Sequence, residues 1–319
     1  MSKLYSVGEL LIDFQSVGTG GLKETKQFIK NAGGAPANVC VQAVKLGQKA
    51  AYLTKVGDDG FGEFLIDSLK KEGVDVSYIS RSGEYDTSLA FVSFKDGGER
   101  EFSFYRKAAA DLHFTEQDFK DVNFRADDVL EFGSVALKTA QARDTHKFLI
   151  DRAESAGALI CFDPNLRFNL WESRQELKDA VKEFAAYADV IKAGADELEF
   201  LCGLPVEEAV KIMFGGKLKM LFVTDGGKGA KLYLADGRSY SCEGYKVNTI
   251  DTTGAGDSFF GGAIAQIMRL NLSADNLVNG KTDYGKILDF ACKCGAYTTT
   301  GYGAIPAMGD RENIEKAVK

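Results

Sequence analysis

The spacing of apolar and polar positions changes several times along the chain, and each change marks an element. LYSVGELLIDF (4–14) is dense in apolar residues ahead of a polar turn and reads as one N-terminal strand. NVCVQAVKL (38–46) suits a helix closed by Gly47 as its C′ residue, and KAAYLTKVG (49–57) a second strand. In FGEFLIDSLKKEG the apolar residues Phe61, Phe64, Leu65 and Leu69 recur at helical spacing, and Gly73 ends the run. TSLAFVSFKDGGEREFSFYR (87–106) differs in texture: two extended runs flank Asp96-Gly97-Gly98, a β-hairpin signal that interrupts the rhythm.

The alternation then resumes. DDVLEFGSVAL (127–137) predicts a strand, about 140–156 a helix, ALICFDPN (158–165) a strand, about 173–186 a helix, and DVIKAG (189–194) a strand. ADELEFLCG (195–203) starts a helix, KMLFVTDG (219–226) is a strand and GAKLYLADGRSYSCEGY (229–245) a hairpin. DTTGAGDSFFGGAIAQIMRL (251–270) is a loop entering a helix. Strands alternating with helices predict an α/β fold with a mostly parallel sheet covered on both faces, whose ligands bind beyond the C-terminal strand ends. No linker, repeat or low-complexity tract divides residues 1–319, so one α/β domain is expected, with a small lid sheet from about 13–32 and 86–110.

Composition narrows the function. The chain has 319 residues, 39 Lys+Arg against 46 Asp+Glu, and a net charge of −7. Such a chain has no reason to seek nucleic acid or an anionic membrane, and any phosphate-bearing ligand must be held by a local site. The six cysteines (Cys40, Cys161, Cys202, Cys242, Cys292, Cys294) form no CxxC pair, and the two histidines leave no basis for a zinc site. Free thiols, an N-terminus without a signal-peptide pattern and the lack of an 18-residue apolar run lead to a cytoplasmic expectation.

Three glycine-rich loops carry the candidate chemistry. Asp251-Thr252-Thr253-Gly254-Ala255-Gly256-Asp257 precedes the helical run Phe259, Phe260, Ala263, Ile264, Ile267. Its small residues let backbone amides at a helix start face an anion, and Asp257 can take a proton from a hydroxyl nucleophile. On this loop alone, the plainer reading is that Asp257 only complements the positive end of the helix. The loop does not match the Walker pattern. Asn31-Ala32-Gly33-Gly34-Ala35-Pro36-Ala37-Asn38 follows a strand and opens a helix, with Asn38 able to donate to and accept from a sugar hydroxyl. Thr224-Asp225-Gly226-Gly227-Lys228-Gly229 ends a strand and reads as a nucleotide contact or as a plain hairpin turn.

The loops in this order resemble the ribokinase-like carbohydrate kinase family. GGAPANV (33–39) and DTTGAGD (251–257) look like its two signatures, and GDDGFG (57–62) and TDGGKG (224–229) also match. Within the family the chain is most similar to fructokinases, through FSFYRKAAADLHF (102–114), FGSVAL (132–137), FDPNLRFNLW (162–171) and TTTGYGAIPA (298–307). Kinases of 2-keto-3-deoxygluconate share FYR and DPNLR but typically lack the Ala110-Asp111 step.

The resemblance implies an ATP-dependent sugar kinase, with 2-keto-3-deoxygluconate, ribose or a nucleoside as alternative acceptors and a non-catalytic sensor as the remote alternative. It implies Asp257 as base, Gly254, Ala255 and Gly256 as anion hole, and Arg167 near the transferred phosphoryl group. Asp13, Gly33, Gly34 and Asn38 would hold the sugar, with Tyr105 and Arg106 reaching in from the lid. Lys192, Glu197, Thr224, Gly226 and Gly229 would serve the nucleotide. Asp251 and Thr253 resemble a monovalent-cation site, usually potassium, and Mg2+ would arrive with ATP. Two departures concern the nucleotide side: Gly194 stands where the family commonly has Asn, and the late motif reads Phe290-Ala291-Cys292-Lys293-Cys294-Gly295-Ala296. Apolar residues of the lid (Leu89, Phe91, Phe102, Phe104) lead to an expected homodimer through the lids.

Overall fold

The structure, a computed structural model, describes residues 2–94 and 100–319. The elements in chain order are β1 (Lys3–Val7), β2 (Leu11–Thr19), β3 (Phe28–Gly33), α1 (Ala35–Lys45), β4 (Lys49–Gly57), α2 (Gly60–Lys71), β5 (Ile79–Ser82), β6 (Ser88–Phe94) and β7 (Arg100–Tyr105). They continue as β8 (Val129–Gly133), α3 (Ala140–Ala156), β9 (Leu159–Asp163), α4 (Arg174–Ala185), β10 (Val190–Gly194), α5 (Ala195–Cys202), α6 (Val206–Met213) and β11 (Met220–Thr224). The last are β12 (Gly229–Leu234), β13 (Ser239–Glu243), α7 (Ala255–Arg269), α8 (Tyr284–Thr298) and α9 (Arg311–Ala317).

Among the described residues nine strands form the main sheet in the order β13-β12-β11-β10-β9-β8-β1-β4-β5. From β5 to β11 every ladder is parallel; β12 and β13 add an antiparallel edge. Alternate residues of one strand enter different cores. Leu4, Tyr52 and Phe222 pack under α1, α2, α7 and α8, whereas Tyr5, Leu53, Phe162 and Leu221 pack under α3, α4, α5 and α6. Burial on both faces explains the nearly continuous apolar strands.

The chain grows away from β1 in both directions, first through β4 and β5, then through β8 to β11. The order reverses beside β1, and a crevice at such a switch point is where open α/β sheets bind ligands.

The N-terminal apolar run is not one strand. It leaves the main sheet at Gly8-Glu9-Leu10 and continues as β2 in a separate four-stranded sheet, β3-β2-β6-β7. Gly8 permits the crossing because a Cβ there would lie 2.8 Å from Pro36 Cγ. An unbroken apolar pattern conceals this change of sheet, since both halves are buried.

In the small sheet β2 pairs antiparallel with β3 and parallel with β6, so Asp13 lies between Asn31 and Ala90. β6 and β7 pair antiparallel, and the expected turn Asp96-Gly97-Gly98 lies outside the described residues. One face is aromatic: Phe14 stacks on Phe91 at 4.8 Å, Phe28 meets Phe91 edge-on, and Phe61 of α2 meets Phe14 at 5.7 Å. Leu89 packs against the main core. Leu89 therefore joins the lid to the body, while Phe91 packs within the aromatic cluster of the lid itself. Phe102 and Phe104 belong to the other face, which covers a cavity.

Candidate active site

Two cavities lie along the C-terminal ends of the strands. The first holds about 470 Å³ beneath the lid, and the second about 350 Å³ between the β11–β12 loop and α8. Thr252 and Gly256 border both, so the glycine-rich loop before α7 is their common wall.

That loop is shaped by its sequence. Gly254, the residue before α7, has φ +76°, and a Cβ there would meet Ala304 Cβ at 2.5 Å. Only glycine gives this entry to the helix without strain. The amide of Ala255 donates to the Thr252 carbonyl at 3.3 Å, so Gly256 is the member of the expected anion hole best placed between the cavities. First-turn amides such as that of Gly256 have no acceptor within the helix, which leaves them for an anion.

Asp257, in the first turn of α7, borders the first cavity. Asn38 of α1 donates its amide to Asp257 Oδ2 at 2.8 Å. The two helices approach closely: a Cβ on Gly261 would lie 2.8 Å from the Val39 carbonyl oxygen. Enclosure by protein pushes the Asp257 carboxyl above its usual range, against the Asn38 hydrogen bond and the charges of Lys192 and Arg167. Asp13, at the floor of the lid, is pushed up to about 7 by loss of hydration, with Arg167 opposing and Asp257 and Asp251 adding to the rise.

Lys192 Nζ pairs with Asp163 at 2.9 Å, and the pair is buried. A Cβ on Gly256 would sit 3.2 Å from the same ammonium, which places Lys192 directly under the shared loop. Burial raises Asp163 to about 6 against the pull of Lys192. Behind the loop, Asp251 Oδ1 accepts from Thr253 N at 3.0 Å and from Thr253 Oγ1 at 2.7 Å, while Oδ2 accepts from Gly303 N at 3.0 Å. Asp251 is thus a clamp joining the 251–257 loop to the 303 loop.

Residues 1–310 match the pfkB family carbohydrate kinase model. The chain belongs to the pfkB family of carbohydrate kinases. It is 40% identical over 308 residues to fructokinase-2 of Solanum lycopersicum, covering 96% of this chain and 92% of that one. A fructokinase double mutant from Vibrio cholerae O395 with fructose, ADP and a potassium ion bound has a similar structure, with TM-score 0.89 at 30% identity, covering 100% of this chain and 99% of that one. The ATP-bound fructokinase of Xylella fastidiosa gives TM-score 0.89 at 30% identity, covering 99% and 97%. The protein is a sugar phosphotransferase with a ribokinase-like fold, and ATP is its phosphoryl donor.

The kinase brings most of the sequence-derived site residues to these cavities. Asp13, Gly34, Asn38, Arg167, Lys192, Thr253, Gly254, Gly256 and Asp257 border the first. Thr224, Gly226, Gly229 and Ala255 border the second, together with Cys292, Gly295 and Ala296 of the variant late motif. The TDGGKG loop is the turn between antiparallel β11 and β12, and it also borders the second cavity. Gly33 borders neither cavity but makes room for one: its Cβ would overlap Asp13 Oδ2 at 2.1 Å.

Tyr105, Arg106 and Glu197, three of the expected site residues, border neither cavity. Tyr105 is 64% exposed, packs edge-on to Phe91 and borders no cavity, because strand alternation turns it to the face opposite Phe104. Arg106 does not border the first cavity; its guanidinium is buried against Asp111 at 2.8 Å. Glu197 borders neither cavity and acts as a brace. Its carboxylate accepts from Gly194 N at 2.8 Å and from Leu166 N at 2.6 Å, fixing the end of β10 to the loop that carries Arg167. Gly194 itself caps α5, where a Cβ would crowd Asp196 Oδ1 at 2.7 Å.

Further residues border the first cavity. Gln15 and Asn31 share the lid face with Asp13, and alternation from Asp13 finds Gln15. Asn165 borders the cavity with φ +40°, an uncommon conformation for a non-glycine residue, held by its amide on Asp163 Oδ1. Glu9 caps the start of α1 through Ala35 N at 3.0 Å and is buried against the cavity wall. Its place inside a hydrophobic run gave no sign of this.

Proposed function

We propose that this kinase is an ATP-dependent fructokinase, converting D-fructose and ATP to fructose 6-phosphate and ADP within a single catalytic domain. The observation that carries the reading is Asp257 on the loop shared by two cavities, one lined by hydroxyl-binding side chains and the other by glycines. The fructose, ADP and ATP bound in the named fructokinases support the assignment of sugar to the first cavity and nucleotide to the second.

A sugar hydroxyl held by Asp13 and Asn38 lies within reach of Asp257, which takes its proton as the oxygen attacks the γ-phosphorus. Direct in-line transfer needs little else from the protein than positioning and charge stabilisation. Gly256 at the helix start and Arg167 face the developing charge. The lid excludes water that would otherwise accept the phosphoryl group.

Among the described residues no cluster of three metal-ligating side chains occurs. Mg2+ held mainly through nucleotide phosphates requires few protein carboxylates and would neutralise the phosphate charge. The buried carboxylate of Asp251 and the hydroxyl of Thr253 form an all-oxygen donor set suited to a monovalent cation such as potassium, which would stiffen the loop they already clamp.

Val17, Ile29 and Phe102 are 53%, 56% and 45% exposed along the lid. This apolar surface supports a homodimer through the lids, and a monomer by light scattering at micromolar concentration would count against it. Unpaired thiols suit the reducing cytoplasm.

The deciding assay couples ADP release to a readout, with MgATP, potassium and a panel of fructose, 2-keto-3-deoxygluconate, ribose, glucose and adenosine. Turnover on fructose is expected. Preference for another acceptor overturns the sugar assignment and leaves the base in place; silence on all of them overturns both.

A further inference from the structure

Strand alternation sets Phe102 and Phe104 against the sugar cavity and by the same count aims residue 106 there. Arg106 is turned aside. Its Nη2 donates to Asp111 Oδ2 at 2.8 Å, its Nε donates to Ser88 Oγ at 3.1 Å, and Ser88 Oγ donates to Asp111 Oδ1 at 2.7 Å. The ring is closed and dry: the side chains of Arg106 and Asp111 are 6% and 1% exposed. It lies close behind the cavity wall, since Ser88 pairs with Leu11 of β2, which borders the cavity.

We infer that Asp111 sets the charge class of the acceptor by holding Arg106 out of the sugar cavity, so that neutral ketoses are accepted and sugar acids refused. The inference rests on the fructokinase reading above. Among the described residues the cavity is bordered by the acids Glu9, Asp13 and Asp257 and by the cations Arg167 and Lys192. Lys192 is tied to Asp163, and Arg167 serves the phosphoryl group in the proposed mechanism. A substrate carboxylate would lose hydration against a wall of acids with no cation left for it. A neutral sugar needs only hydroxyl acceptors, which the same acids provide. Rejection by an absent partner is as effective as recognition by a present one.

Arg106 without its partner would regain the direction that strand alternation gives it. The alternative resting place is the second oxygen of Glu9, which is buried and has no hydrogen-bond partner.

The test compares kcat/KM on fructose and on 2-keto-3-deoxygluconate for the wild type and Asp111→Asn, with thermal melting as the fold control. The ratio of sugar acid to fructose is expected to rise about tenfold or more in Asp111→Asn, the scale of one desolvated charge pair. A folded Asp111→Asn enzyme with an unchanged ratio overturns the inference while the fructokinase reading stands. A wild type that prefers the sugar acid overturns that reading itself. If Asp111→Asn does not fold, the double variant Arg106→Met/Asp111→Leu replaces the pair by apolar groups, often a neutral exchange. Its KM for fructose is expected within about threefold of wild type, because Arg106 is then no sugar ligand. A larger rise in a folded enzyme makes Arg106 a sugar contact and overturns the inference.

Discussion

The two cavities share one loop and are built in opposite ways. The first cavity, proposed for the sugar, carries charged and amide side chains delivered by β2, β3, α1, β10, α7 and the 163–170 loop. The second cavity, proposed for the nucleotide, is made largely of glycine, alanine and threonine, with Gly226, Gly227, Gly229, Gly244, Gly256 and Gly295 among its walls. On one side chemistry is carried by functional groups and depends on their protonation. On the other it is carried by the space left where side chains are missing. Substitutions should therefore fail differently in the two halves.

The largest effect should come from Asp257→Asn, which keeps the shape and the Asn38 contact region but removes the base. Its kcat should fall about 10²–10⁴-fold with KM for ATP nearly unchanged, as read by steady-state kinetics. Wild-type turnover in this variant would end the role given to Asp257.

Next come paired glycine substitutions. Gly34→Ala puts a Cβ 2.2 Å from the Glu9 carbonyl oxygen at φ +123°, and Gly229→Ala puts one 2.1 Å from the Cys242 carbonyl oxygen at φ +106°. Each should lose about 1–3 kcal/mol or more from strained backbone, visible as a lower melting temperature. Gly227→Ala meets nothing within 4 Å and should stay within about 0.5 kcal/mol while raising KM for ATP. Equal stability of Gly229→Ala and Gly227→Ala would break the view that the nucleotide wall is fixed by backbone approach.

The pH response separates catalysis from stability. Glu9 and Asp13 carry folded-state values of about 7 against ordinary values of 4.5 and 3.8. The folded protein thus binds more protons than the unfolded chain between about pH 4 and about pH 7, and its stability should fall as pH rises through that window. Activity should run the other way, since Asp257 must be ionised and its carboxyl is raised by enclosure. Arg167→Gln removes a charge that holds both Asp13 and Asp257 down, so the acid limb of kcat should move to higher pH. Denaturation midpoints and rate profiles over the same range give both readings.

The smallest effect is expected from Cys292→Ala. Cys292 borders the nucleotide cavity from α8, and removing its thiol should change KM for ATP within about threefold and leave KM for fructose alone, as for a modest loss of packing.

Much of the site was legible because its motifs are local. Gly33 to Asn38 opens a helix directly at a strand end and Asp251 to Asp257 opens one after a loop, and in both a glycine stands just before the helix. The alternation of strands and helices also gave the parallel sheet. What escaped is what depends on direction. Tyr105 and Arg106 directly follow the cavity residue Phe104, but one faces away and the other is captured by an acid five positions later. Glu197 carries a carboxylate at the expected place and uses it on two backbone amides. The break at Gly8-Glu9-Leu10 lies inside a continuous apolar run, which periodicity cannot divide when both halves are buried. The apolar pattern does not mark the helices α6, α8 and α9, although α8 contains the motif around Cys292.

The parallel ladder between β2 and β6 has a consequence for how the chain assembles. Asp13 pairs with Ala90, so the lid joins two excursions that most of the first α/β units separate. Closing so long a loop delays the reward of the contact, and parallel pairings of distant segments form slowly. Asp13 should reach its working position only after β1, α1 and β4 have packed, which makes the substrate floor one of the last parts of the molecule to form and one of the first to open.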